Sequence, residues 1–283
     1  MLWLDGAIFP DSRAPFDLSD RGLLLGDGVF DTALVLNGRV FRAETHLLRL
    51  IDALAILRID ADPTAIRQAA AALIPHAEAP AERHALRVTV TRGPGLRGLA
   101  PVGVQRPTVM ASLTPLPPRF FWPRLSMDVA AARRNESSPL SRIKALSYLD
   151  AILAMRAAAE RGHNEVLFLN GAGHVACASV GNVFALFGDE LVTPPLSDGA
   201  LPGVIRGFLL EECGRLGLAA RERSLDLDEL RAADAAFMTN SLRLIAPVER
   251  IGAVATGSKG GGIVEALQQH LRQAIAAECG IEP

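Results

Sequence analysis

Leu140-Ser-Arg-Ile-Lys-Ala-Leu-Ser-Tyr148 contains one of only two lysines, Lys144 and Lys259, in a chain of 283 residues. Lysine and arginine together number 29, so arginine supplies nearly every permanent positive charge. Arginine makes a good surface cation, but its guanidinium stays protonated and cannot act as a nucleophilic amine. A lysine amine can, once desolvated or placed near positive charge. Lys259 sits in the glycine-rich turn Gly257-Ser-Lys-Gly-Gly-Gly262. Lys144 precedes an apolar helical pattern running from about Leu146 to Arg161, which Gly162 ends. On composition alone Lys144 fits either a solvated residue at a helix start or a catalytic amine.

Working towards the N-terminus, the pattern is α+β. Asp5-Gly6 and Asn37-Gly38 are hairpin signals between short apolar runs. Glu44 to Leu57 and Ala65 to Ile74 have helical apolar spacing. Ala85–Thr91 and Val109–Leu113 read as strands. Thr114-Pro-Leu-Pro-Pro118 is stiff and extended, and predicts a linker over 114–122. It separates an N-terminal α+β domain, 1–113, from a C-terminal α/β domain, 123–283. In the latter, strands are predicted at Leu125–Ala131, Val166–Leu169, Val175–Ala178, Val183–Phe187, Leu191-Val192 and Ala235–Thr239. Ile245–Val248 is a short piece that Pro247 should break. Helices are predicted from Leu201 to about Leu216 and over Ile263–Cys279.

Composition excludes several function classes. Net charge is −2, with 49% apolar and 21% charged residues, so no electrostatic case exists for nucleic acid or an anionic membrane. No apolar run approaches the ~20 residues of a membrane span. The start, Met1-Leu-Trp-Leu-Asp-Gly6, lacks a basic region, and the three cysteines are too scattered for a disulfide framework. A cytoplasmic location is therefore expected. The six histidines have no ligand spacing, and no metal is expected. Cys177-Ala-Ser-Val-Gly181 lacks the first glycine of a nucleophile elbow, and the 257–262 glycines lack the ending of a P-loop.

Three segments suit a phosphate-bearing ligand, which needs helix-start N–H groups, hydroxyls and an arginine. Gly203-Val-Ile-Arg206 opens a helix after a Pro-containing turn, and alone it reads first as an ordinary helix start. Thr239-Asn-Ser241 ends a strand and fits a polar turn equally well. Arg49 lies among leucines on the first long helix, where it either snorkels to solvent or points into a site.

Taken in order, these segments resemble the class IV aminotransferases, the fold-type IV pyridoxal-phosphate enzymes. The family includes branched-chain aminotransferases, D-amino-acid transaminases and 4-amino-4-deoxychorismate lyases. Asp20-Arg-Gly-Leu-Leu-Leu-Gly-Asp-Gly-Val-Phe-Asp-Thr32, His46-Leu-Leu-Arg-Leu50, Ile143-Lys-Ala-Leu-Ser-Tyr-Leu149, Leu201-Pro-Gly-Val-Ile-Arg206 and Phe237-Met-Thr-Asn-Ser-Leu242 are each similar to a family block. The resemblance implies a two-domain α/β (α+β) fold, with pyridoxal 5′-phosphate between the domains, and a homodimer acting on a small amine or amino acid. It implies Lys144 as the amine that forms an imine with the cofactor aldehyde and then moves a proton as general base. Arg49, the N–H groups of Val204 and Ile205, and Ser241 are implied at the phosphate, Tyr148 beside the phenolic oxygen, and Cys177 at the pyridine nitrogen. Substrate contacts are expected from Phe30, Arg97, Asn240 and Leu242.

Two departures stand out. Val175-Ala-Cys-Ala-Ser-Val-Gly-Asn-Val-Phe184 carries Cys177 where the family has glutamate. A thiol pairs feebly with a pyridine nitrogen, and a thiolate there would need a lowered pKa. Ile205 stands where many transaminases have threonine. Within the family, the Arg-x-His pair of D-amino-acid transaminases is missing, because the matching segment reads Arg97-Gly-Leu99. Gly95-Leu-Arg-Gly98 and the Thr-Asn-Ser-Leu run lean towards an aminodeoxychorismate lyase. An amino-acid transaminase is the alternative, and a cofactor-binding homodimer with impaired catalysis is the third reading.

Overall fold

The computed structural model describes residues 1–11, 13–77 and 83–283. The chain forms two compact units that are interleaved in sequence. The first comprises Met1–Pro118, Ile143–Ser147 and Ile275–Pro283; the second comprises Arg119–Arg142 and Tyr148–Ala274.

The first unit is built on an antiparallel sheet. Its strands are β1 (Leu2–Leu4), β2 (Ala7–Phe9), β3 (Gly28–Leu36), β4 (Arg39–Val40), β5 (Arg83–Thr91) and β6 (Thr108–Pro115), in the order β2-β1-β6-β5-β3-β4. Both sequence-predicted hairpins form. Asp5 and Gly6 have φ of 42° and 98°, Asn37 and Gly38 49° and 66°, the double positive φ that a two-residue turn between twisted strands requires. Three helices complete the unit: α1 (Arg21–Leu25), α2 (Ala43–Leu57) and α3 (Pro63–Leu73). Leu50 and Leu54 of α2 and Ile66 and Leu73 of α3 pack with Val29, Val35, Val88, Val90 and Val109 of the sheet. Each such side chain contributes about 1.5–3 kcal/mol by leaving water. At the expected linker, Thr114 and Pro115 still pair with Ala85 and His84, so β6 runs into the Pro-rich stretch.

The lysine segment is the main departure from the predicted elements. Helix α4 is Leu149–Glu160, not 146–161. The residues before it lie along β3: Phe30 N–H donates to Lys144 O at 2.9 Å and Leu146 N–H to Gly28 O at 3.2 Å, with Ala145 bridged to Val29. These backbone groups pair with a strand, so they are unavailable to a helix. Alternation then sends Ile143 and Ala145 into the α2–α3 core and Lys144 to the Phe30 side.

The second unit is built on a mixed sheet of β7 (Leu125–Val129), β8 (Glu165–Leu169), β9 (Val175–Ala178), β10 (Asn182–Phe187), β11 (Glu190–Thr193), β12 (Ala219–Glu222), β13 (Ala235–Asn240) and β14 (Leu244–Ile251), in the order β12-β11-β10-β13-β14-β7-β8-β9. β15 (Val254–Ala255) pairs with β14. Its core includes Leu125, Met127, Leu167, Val183, Ala185, Val192, Met238 and Ala246. Pro247 does not break β14. It sits opposite Phe237 of β13, while β7 joins only from Val248, so one flank is still unpaired where the missing N–H falls. The helices after α4 are α5 (Val204–Glu212), α6 (Leu227–Ala232) and α7 (Gly261–Cys279). The last residues of α7 belong to the first unit. There Asn37 Nδ2 donates to Cys279 O and Arg39 Nη1 to Glu278 O, both at 3.1 Å, and Glu278 accepts the Arg42 N–H at 2.7 Å. Among the described residues no helix is long and apolar enough to cross a membrane.

Candidate active site

Lys144 is half-buried, and its Nζ lies 4.4 Å from the centroid of the Phe30 ring. The Arg87 guanidinium sits 3.5 Å from the same centroid, with Nε donating to Thr89 Oγ1 at 3.2 Å. Two cations thus share one ring, whose π-face attracts both. Arg87 was not singled out in the sequence. It lies in an ordinary strand alternation, and only the Thr32–Arg87 and Phe30–Thr89 register brings it to Phe30.

The next residue of β3, Asp31, points to the opposite face, towards α2. His46 and Arg49 are three apart on α2 and so share one side of it. His46 Nδ1 meets Asp31 Oδ1 at 2.6 Å; Arg49 donates from Nε to Oδ2 at 2.8 Å and from Nη2 to Oδ1 at 2.9 Å. Burial alone would push the Asp31 carboxyl up. The charge of Arg49 and the bond from His46 outweigh it and hold the carboxyl at about 2.

The Asp20–Arg21–Gly22 block has a structural explanation. The fully buried Asp20 accepts Gly22 N–H at 2.7 Å and the hydroxyls of Thr91 and Thr108, each at 2.8 Å. A Cβ on Gly22 would lie 2.2 Å from Thr91 Cγ2, which is why glycine stands there. Asp27 joins the Nε groups of Arg21 and Arg92, at 2.9 and 2.8 Å. Arg92 also holds the end of α2 through Leu57 O and Arg58 O. Arg21 donates to Gly98 O and Leu99 O at 2.8 and 2.7 Å, anchoring the loop that carries the exposed Arg97.

In the second unit the N-terminus of α5 and the end of β13 converge on Asn182. Asn182 Nδ2 donates to Leu201 O at 2.8 Å, and a Cβ on Gly203 would lie 2.0 Å from Asn182 Oδ1. Gly203 caps α5 without a side-chain hydrogen bond. The first helical bond is Gly207 N–H to Gly203 O, so the N–H groups of Val204, Ile205 and Arg206 have no acceptor within the helix. Thr239 is paired with Asn182 across the strands and shares its face. Its buried Oγ1 has no hydrogen-bond partner among the described residues. Ser241 follows, half-buried, in a turn closed by Asn240, whose Oδ1 accepts the N–H groups of Leu242 and Arg243 at 3.0 and 2.7 Å. Uncapped N–H groups and an orphaned hydroxyl together fit a phosphate.

Cys177, paired with Phe168, packs against Ala130, Ala158, Val166 and Phe168. Burial pushes its thiol up, against the pull of Arg134, so it stays protonated rather than becoming a thiolate. Tyr148 is half-buried at the start of α4 and accepts Ile152 N–H at 2.9 Å. Glu165, fully buried, accepts Ser179 N–H at 3.1 Å and Arg243 Nη1 at 2.7 Å. Among the described residues no cluster of three or more His, Cys, Asp or Glu is arranged to hold a metal.

The chain belongs to the class IV aminotransferases: the model of the amino-transferase class IV family matches residues 28–251. Its fold is that of the fold-type IV pyridoxal-phosphate enzymes. The solved 4-amino-4-deoxychorismate lyase from Pseudomonas aeruginosa aligns with a TM-score of 0.85 at 30% identity, over 96% of this chain and 98% of that one. The branched-chain aminotransferase from Thermoproteus uzoniensis, solved with norvaline, aligns at 0.84 and 29%, over 95% and 93%. Aminodeoxychorismate lyase of Bacillus subtilis is 30% identical over 270 residues, 95% of this chain and 92% of the relative. The protein is therefore an enzyme that uses pyridoxal 5′-phosphate on a small amino compound. Lyase and transaminase relatives stand at the same level of identity.

Proposed function

We propose that the protein is a lyase of the 4-amino-4-deoxychorismate type, releasing pyruvate and 4-aminobenzoate, with Lys144 as its catalytic amine. The observation that carries this reading is the placement of Lys144 Nζ and the Arg87 guanidinium on one Phe30 ring, 4.4 and 3.5 Å from its centroid. Pyridoxal phosphate supplies an aldehyde for the substrate amine and an electron sink for the bond that breaks. Lys144 would hold the cofactor through its amine and would serve as the base that takes the ring proton. Arg87 and Arg97 offer guanidinium forks to a carboxylated substrate. Arg49, the N–H groups of Val204 and Ile205, and the hydroxyls of Ser241 and Thr239 would hold the phosphate. Cys177 would meet the pyridine nitrogen as a neutral thiol, a weaker partner than a carboxylate. Tyr148 would sit beside the phenolic oxygen, and Phe30, Asn240 and Leu242 would border the substrate.

Likeness to a branched-chain aminotransferase supports an amino-acid transaminase as the second reading. We propose further that the enzyme works as a cytoplasmic homodimer. In support, its three cysteines are free, and Leu99, Val102 and Val104 of the loop held by Arg21 are 85%, 65% and 91% exposed.

The test is incubation of the purified holoenzyme with aminodeoxychorismate. Equal amounts of 4-aminobenzoate and pyruvate are expected. Amino transfer from a D- or branched-chain amino acid to a 2-oxo acid, with no 4-aminobenzoate, would overturn the lyase in favour of the transaminase. Bound cofactor with neither product would leave the binding protein with impaired catalysis. Light scattering at twice the chain mass checks the dimer.

A further inference from the structure

We infer that Asp31 is a positioning residue that aims Arg49 at the cofactor phosphate, an inference that rests on the phosphate role proposed above for Arg49. Asp31 lies within β3, paired with Val88 of β5, so its backbone is fixed on a rigid element. It is 5% exposed, and both carboxylate oxygens are engaged. His46 Nδ1 holds Oδ1 at 2.6 Å, which stops the carboxylate from turning about its own bond. Arg49 then donates through Nε and Nη2, at 2.8 and 2.9 Å, in two parallel bonds.

A planar guanidinium gripped along one edge cannot swivel, so its Nη1 edge has a fixed direction. A single bond would leave rotation about the contact, and a lysine would be held only as a point charge. Stability alone is a weak reason for this arrangement. A buried ion pair roughly breaks even against apolar packing, because both charges must be desolvated. What the doubly bonded pair supplies that apolar packing does not is orientation. The sequence contains the same logic in miniature. His46 and Arg49 are spaced to share one face of α2, and both bond the same carboxylate, Asp31.

The experiment compares the affinity of the whole chain, stripped of cofactor, for pyridoxal 5′-phosphate and for pyridoxal, which lacks the phosphate. The ratio of the two dissociation constants isolates the phosphate arm, and melting temperature is recorded in parallel. Arg49→Ala should cut the ratio by about tenfold or more, the loss of one charge-assisted bond. Asp31→Asn should cut it by a similar factor with pyridoxal affinity unchanged. Asp31→Glu, which keeps the charge but lengthens the arm, should cut it less. A folded variant of either kind that keeps the wild-type ratio, or weakens both ligands equally, overturns the inference and makes Asp31 merely structural. An unchanged ratio in Arg49→Ala removes instead the underlying reading of Arg49. The two failures are therefore distinguishable.

Discussion

Lys144 and Phe30 meet twice, through their backbones at 2.9 Å and through their side chains at 4.4 Å from amine to ring centroid. The first contact fixes where the second occurs, and it does not depend on the amine. Lys144→Ala should therefore leave the fold intact and remove the chemistry. The visible cofactor band that borohydride abolishes should be absent, and turnover should fall by at least ~10²–10⁴-fold, the usual worth of a positioned general base. Absorbance, circular dichroism and product assay check this together. A persistent band would place the link at Lys259.

Arg87 is on the same ring but on a different strand, and it carries no part of the phosphate site. Arg87→Met should raise KM for a carboxylate-bearing substrate by about ten- to a hundredfold, the range for a charge-assisted hydrogen bond. Cofactor affinity should be unchanged. Steady-state kinetics beside a cofactor titration separates the two; equal loss in both would mean that Arg87 only braces Phe30.

Cys177 keeps its proton because burial pushes the thiol up. Cys177→Glu puts a carboxylate at this position and should strengthen the electron sink. The holoenzyme's visible band should shift and amino transfer should speed up. An unaltered spectrum would mean that this strand does not face the ring nitrogen.

Asp20 satisfies two threonine hydroxyls and one backbone N–H while fully buried. Asp20→Ala leaves those donors without an acceptor and should cost about 3 kcal/mol or more in chemical denaturation. A loss under about 1 kcal/mol would show that water replaces the carboxylate.

The acid limit of stability should carry a mark of Asp31. Its folded-state pKa, about 2, lies below the unfolded value, so its contribution is present above the unfolded pKa and is lost as pH falls through the folded one. That contribution is about 2 kcal/mol. Denaturation from pH 6 down to pH 2 should show wild type losing more stability than Asp31→Asn below about pH 4. Parallel curves would show that Asp31 is not ionised as described.

Much of this was legible in the sequence, because the signals were local. Asn37-Gly38 can hardly be anything but a tight hairpin, and the leucines of α2 keep helical spacing. The family blocks singled out Lys144, Arg49 and the 201–206 loop as expected site residues. What escaped depends on pairing between distant segments. Leu146 to Tyr148 looked helical because nothing nearby reveals that Gly28 and Phe30 claim the backbone at 144–146. Pro247 looked like a break because the late start of its β7 neighbour is a property of the sheet. β12 and α6 are too short and polar to leave a periodic trace. Arg87 became visible only when β5 was set beside β3.

Because residues 143–147 and 275–283 complete the first unit, the segment synthesised earliest is among the last to be finished. A ribosome must deliver the whole second unit before Cys279 O can meet Asn37 and Glu278 can meet Arg42. Until then the β3 edge and the 37–42 turn wait without their native covering, an opening for chaperones or for aggregation during translation.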